Sequence, residues 1–296
     1  MRNKTIRWSM TAGLLVCAPL ANAAQQEDSG MASYAVDVTA RAASDMRTRG
    51  VSDSLNRPGA KVTVQLAHES GFVALAEFST VSKKQFMDGD GASALLAGGY
   101  RWGDPEAWHF GLGYAAELFP SAQFKAPQGF DFQTFTPVNE RTTNYNSQFA
   151  VLEAGYGGLE GRVAQVLSKT YRGANTGGVC GTMLQYASDP TNALKCYARG
   201  EENSRGSMLF DLDYKYQVLR NTTVKLHAGH QYIANFSEAA MTDYGVGVVQ
   251  HQWGFDWGLD FVSPHTKARE LYLAQDGEHT RVTDENQWVF SVSRTY

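Results

Sequence analysis

Charged side chains in this 296-residue chain recur at every second position of otherwise apolar segments. Lys61, Glu77, His109, Glu117, Glu153 and Arg162 do so in the first half. Asp211, Asp213, Lys215, Lys225, His227, Asp256 and Asp260 do so in the second. Gathered on one inner face, groups of both signs could line a water-filled passage and set its selectivity. Asp211, Asp213, Asp256 and Asp260 belong to two segments far apart in sequence. If they face one another across a lumen, the passage favours cations, with Lys61, Arg162, Lys215 and Lys225 opposing that preference. Other chemistry fails on geometry. His227 and His230 have the spacing of a helical metal pair, but on a strand positions i and i+3 point to opposite faces. Gly111-x-Gly113-x-x-Ala116 imitates a dinucleotide loop without the strand-to-helix junction such a loop requires. Ser263-Pro264-His265 offers a nucleophile and a base, with no specific third group to orient the base. No metal and no cofactor is called for.

The elements that carry these residues read as strands. Met208, Phe210, Leu212, Tyr214, Tyr216 and Val218 form one apolar face, and Asp211, Asp213, Lys215 and Gln217 lie on the other. Trp108 to Leu118 and Phe255 to Phe261 alternate in the same way. A period of two separates faces on a strand, whereas a helix would scatter them. Twelve such segments begin near Tyr34, Lys61, Phe72, Ala92, Trp108, Gln148, Leu159, Met208, Val224, Thr242, Trp253 and Gln287. Most run for about 9–12 residues, enough for a tilted strand to cross a bilayer. Their connections alternate between long and short. The long ones span 45–60, 83–91, 120–147, 171–206, 235–241 and 263–286. This asymmetry belongs to barrels with short periplasmic turns and longer external loops. The reading is an all-β fold: a single antiparallel transmembrane β-barrel of 12 strands, covering residues 34–296, with both termini periplasmic.

Composition agrees. Charged residues make up 19% of the chain, against about a quarter in an ordinary soluble domain. Mean hydropathy is −0.35, and no apolar run beyond the N-terminus reaches the roughly 18 residues of a spanning helix. Arg2, Lys4 and Arg7, the apolar stretch Met10 to Leu20, and Ala21-Asn22-Ala23 form a cleavable export signal over residues 1–23. Residues 24–33 would then be a short periplasmic segment. Cleavage removes three of the 26 basic residues and no acidic ones, taking the net charge from −4 to −7. That disfavours nucleic acid, which needs a basic face. Cys180 and Cys196 remain, and an even count in an exported chain suggests a disulfide. The alternative is a pair of free thiols.

The run Ser44-Asp45-Met46-Arg47-Thr48-Arg49-Gly50-Val51-Ser52, followed by Pro58, resembles the opening motif of the TorF-type outer-membrane porins (Gcw-type β-barrel proteins). That family shows Ser-Asp-Tyr-Arg-Phe-Arg-Gly-x-Ser-Gln, from which Met46, Thr48 and Asp53 depart. Gly59 to Val81 is also similar. The resemblance implies a barrel in the bacterial outer membrane and passive transport across it. The C-terminal face Phe290, Val292 and Tyr296 resembles the signal by which outer-membrane proteins are recognised for assembly.

A porin-like channel for small hydrophilic solutes or ions is therefore expected. Its partners would be outer-membrane lipid, the assembly machinery and its solutes, and the exposed aromatics leave a homo-oligomer open. Two alternatives stand beside it. One is a closed structural or adhesion-type barrel acting through its external loops. The other is an outer-membrane hydrolase.

Overall fold

The computed structural model describes residues 34–296, so the export signal and the segment 24–33 lie outside the described residues. Twelve strands form a closed antiparallel barrel. They are β1 (Tyr34–Ala43), β2 (Gly59–His68), β3 (Phe72–Thr80), β4 (Ala92–Gly103), β5 (Trp108–Leu118) and β6 (Ser147–Tyr156). Then follow β7 (Leu159–Val166), β8 (Met208–Leu219), β9 (Thr222–Tyr232), β10 (Met241–Gln252), β11 (Phe255–Thr266) and β12 (Gln287–Thr295). Each strand pairs with its neighbour in sequence, and β1 pairs with β12 from Thr39↔Thr295 to Ala43↔Ser291 to close the ring. In hydrocarbon an open edge would leave a row of N–H and C=O groups with no water to bond, and closure removes it.

The alternation sorts the side chains as the pleat demands. Outward residues are exposed, with Trp108 at 62% and Leu112 at 55%, while inward His109 and Glu117 are at 9% and 7%. Aromatics gather near the short-turn end: Trp102 stacks near Phe110, and Trp108 lies 5.3 Å from Tyr156. Such girdles sit at membrane–water interfaces. Arg294, on the outer face of β12, places its guanidinium over the rings of Phe255 and Tyr296 at 5.5 and 5.0 Å. All strand starts lie within two residues of the sequence reading: β2 and β9 begin two residues before Lys61 and Val224, and β11 two after Trp253. Trp253 is not in β11 but in the preceding turn. Trp253 and Gly254 both have positive φ (57° and 76°), the two-residue geometry that matches strand twist in a hairpin.

The long connections carry structure that their lack of periodicity hides. Strands Gln123–Asp131 and Thr136–Asn144 pair as a hairpin, as do Leu273–Asp276 and His279–Val282. The connection between β7 and β8 forms two short helices, α1 (Thr182–Tyr186) and α2 (Thr191–Tyr197). The Cys180–Cys196 disulfide links the turn before α1 to α2. Val179, Met183 and Tyr197 pack in one apolar cluster with Phe149, Val166 and Leu209 of the barrel wall. The first long connection, residues 44–58, departs from the external loop expected. It folds into the barrel, and most of its residues, including Leu55 (1%) and Ser52 (0%), are buried.

Leu212 lies mid-strand on the lipid face, 50% exposed. Leu212→Arg should destabilise the inserted barrel by about 2–4 kcal/mol, read from urea titration of folding into lipid vesicles. A change within about 0.5 kcal/mol, the usual range for a neutral surface site, would contradict the assigned lipid face.

Candidate functional site

The inner wall is built from charge pairs that cross between strands. Lys61 of β2 bonds Glu77 of β3 at 2.8 Å. Lys225 of β9 reaches Asp260 of β11 at 2.6 Å, two strands away, and Arg41 of β1 approaches the same carboxylate at 3.7 Å. His227 lies between Asp213 of β8 and Asp243 of β10, at 2.8 and 2.9 Å. Asp256 meets His251 at 2.9 Å. On the strands between these groups, β4, β6 and β7, Arg101 pairs with Glu153, and Glu160 lies 3.1 Å from Arg162 and 3.6 Å from Arg101. Glycine makes the longer reaches possible. A Cβ at Gly247, which sits between Lys225 and Asp260 in register, would occupy the Asp260 carboxylate oxygen. A Cβ at Gly155 would collide with the His109 ring.

The four aspartates of the sequence reading do not face one another across the lumen. Asp211 and Asp213 on β8 and Asp256 and Asp260 on β11 share one side, separated by β9 and β10. Each has a cationic or histidine partner. Lys215 sits opposite Lys225 in the β8–β9 register, towards the short-turn end.

The inserted loop completes the interior. Residues Arg47–Thr48 and Val51–Ser52 pair with each other, and the turn between them is Arg49-Gly50, with φ of 49° and 79°. This is a miniature hairpin with Arg49 at its tip. Gly50 is required twice, by its positive φ and because a Cβ there would lie 2.9 Å from Pro264 Cβ. Arg49 donates to the Asp211 carboxylate at 2.5 Å and to the carbonyl of Phe210 at 3.3 Å. Asp45 holds the hairpin from within. It accepts from Arg47 Nε at 2.5 Å and from the hydroxyls of Ser52 and Ser54 at 2.6 and 2.7 Å. Arg172, from the β7–β8 connection, then clamps the loop to the wall. It donates to Asp53 at 3.0 Å, to Thr48 at 3.0 Å and to Glu117 of β5 at 2.9 Å, and lies over the Phe119 ring at 5.3 Å. Burial pushes the Asp53 carboxyl upward, with Arg172 pulling against it. Burial alone would lower Arg172, but Asp53 and Glu117 raise it well above its ordinary value.

Not all of the interior is polar. Val73, Leu75, Leu95, Ala97, Phe149, Val151 and Ala164 face inward from β3, β4, β6 and β7, leaving a cavity against Thr48 and Arg49 of the loop. These residues carry no charge to mark them as lumen-facing in the sequence. Arg41, Arg101, Glu160 and Asp243 belong to the inner wall too, and of these only Glu160 shares its strand and parity with an inward residue read from the sequence, Arg162. Arg49, Asp53 and Arg172 lie on connections, where no periodicity marks direction.

The remaining candidates are dispersed. His230 is exposed on the outer face, 2.8 Å from Thr242, so it shares nothing with His227. Gly111 and Gly113 lie within β5. Pro264 points inward, while the His265 ring packs edge-on to Tyr244, 5.7 Å away. Phe290 and Tyr296 are exposed on the outer face, with Val292 between them. No cluster of three or more metal-ligating side chains occurs among the described residues.

An outer-membrane-type β-barrel with a loop folded into its lumen is thus the class of protein defined by this geometry. The chain belongs to the family described as a bacterial protein of unknown function (Gcw_chp), whose model matches residues 25–296. No curated protein matches it. Among solved structures it is similar to a KdgM porin, at 7% identity over 88% of this chain and 99% of that one, with a TM-score of 0.45. It is similar also to a NanC porin, at 8% identity, 88% and 98% coverage and a TM-score of 0.46. The outer membrane phospholipase A from Escherichia coli follows at 12% identity, 88% and 94% coverage and a TM-score of 0.35. At these identities and scores none of them transfers a function.

Gly247→Val should displace Asp260 from Lys225 and leave buried charge uncompensated. The expected loss is about 3–5 kcal/mol in urea unfolding of the refolded protein. A loss under about 1 kcal/mol would contradict the need for a bare backbone at that position.

Proposed function

We propose that the protein is a channel of the bacterial outer membrane for passive diffusion of small hydrophilic solutes or ions, narrowed by the loop 44–58. One observation carries this reading. The loop enters the lumen as a self-paired hairpin with no strand pairing to the wall, bonded to wall and cap by the side chains of Arg49 and Arg172 and to the last long connection by Ser52 N–H, Arg47 and Asn56, which donate to the carbonyls of Thr283, Glu285 and Val282. A barrel meant only as a solid scaffold needs no separable segment inside it. The wall charges support passage of water and ions, since a polar lined lumen keeps both hydrated. They also compensate one another, so fixed charge gives weak selectivity, with a slight lean to cations from the net charge of −7 expected after export. The barrel's lipid partner follows from its exposed apolar belt.

A closed barrel acting through its loops is the second reading. The apolar packing of α1 and α2 over the wall, with its disulfide, favours it.

Conductance in a planar bilayer separates the two. Wild-type protein should give small, stepwise conductance with a reversal potential near zero in a salt gradient. Arg172→Ala, which frees Asp53 and Glu117, should raise the unitary conductance at least twofold. Silence from both proteins, when each is demonstrably folded, would overturn the channel reading in favour of the closed barrel.

A further inference from the structure

The apolar side of the lumen is at odds with a passage built for hydrophilic solutes alone. Inward-facing residues of a water-filled barrel are ordinarily polar. Here Val73, Leu75, Leu95, Ala97, Phe149 and Val151 form a continuous apolar surface across β3, β4, β5 and β6. Gly99, Gly111 and Gly113 deepen it by presenting backbone where side chains would project. The inserted hairpin covers this surface without filling the space, leaving a cavity of about 130 Å³. An engineered apolar cavity of about 150 Å³ stays dry and binds benzene. The space therefore suits one six-membered ring.

Its charged rim excludes an ion. Arg49, Arg101 and Arg162 line it together with Glu117, Glu153 and Asp211, equal numbers of each sign. One polar atom stands out. The Asp211 side chain is 3% exposed, and while Oδ2 accepts from Arg49, Oδ1 accepts no hydrogen bond. A buried acceptor without a donor costs about 1–3 kcal/mol. A ligand bearing one O–H group would satisfy it.

We propose that this cavity binds a small uncharged phenol, its ring against the apolar wall and its hydroxyl donating to Asp211 Oδ1. The site stands on the cavity itself and holds whether or not the barrel conducts. A phenol fits better than benzene because of the unpartnered oxygen, and better than a benzoate because the rim offers no uncompensated cation.

Fluorine NMR of the refolded full-length protein in detergent micelles tests it, with 4-fluorophenol and fluorobenzene as probes and protein-free micelles as the partition reference. Wild-type protein should bind 4-fluorophenol saturably, and at least threefold more tightly than fluorobenzene after correction for micelle partition. Ala97→Leu and Ala164→Leu, each filling the cavity from a different strand, should weaken binding tenfold or more while circular dichroism stays that of a folded barrel. Three results would overturn the proposal: no saturable binding to folded wild-type protein, equal affinity for the two probes, or unchanged affinity in either folded variant. The two-probe comparison on wild-type protein stands even if both variants fail to fold.

Discussion

A charged side chain packed between a barrel wall and an inserted loop sheds much of its hydration, so it needs a counter-charge beside it. The interior of this protein is organised by that constraint. Lys61 with Glu77, Lys225 and Arg41 with Asp260, and His227 with Asp213 and Asp243 tie strands together from the inside, perpendicular to the backbone ladder. Glycines such as Gly247 exist on the wall because a side chain there would stand where a partner must reach. Asp211 on the wall, which already faces Arg162 in register, and Asp53 on the loop follow the same rule. Arg49 and Arg172 bring their compensation from two different connections.

Charge compensation and the loop are therefore one feature. The loop enters the lumen as a hairpin whose tip carries the cation that bonds Asp211. It presents, a few residues on, the carboxylate that Arg172 requires. Arg172 also contacts Glu117 on the wall, so wall, loop and outer cap meet at a single guanidinium. The lipid side follows from a separate demand, the pairing of every backbone amide, which closure of β1 on β12 meets. The two demands use opposite faces of the same strands, and the period of two lets one sequence satisfy both.

The division between what the sequence made legible and what it hid follows the same physics. All twelve strands could be read from alternation, because each has one face in lipid and the other in the lumen. Trp253 was misplaced because an aromatic at a strand end continues the apolar pattern, while the turn is set by the φ of Trp253 and Gly254. Cys180 and Cys196 were legible as a pair from their number alone. The partners of Asp211, Asp213, Asp256 and Asp260 were not, since pairing across a barrel depends on register and on which strands adjoin. The motif Ser44 to Ser52 could be read as a family resemblance, yet its place inside the lumen could not. A loop has no period, and Asp45, Arg47 and Arg49 look like the solvated charges of any external turn. Only the burial of all three in the folded chain shows that they bond within the loop and to the wall.

The position of that loop is most directly tested by its chemical accessibility. Ser52 is wholly buried at the centre of the hairpin, and Glu278 lies on an exposed turn of the last long connection. Cysteine placed at each site can be labelled with a membrane-impermeant maleimide, the native pair being oxidised in its disulfide. Ser52→Cys should react at least a hundredfold more slowly than Glu278→Cys in the folded barrel, and adding Arg172→Ala should speed it. Equal labelling rates at the two positions would contradict a loop held inside the lumen.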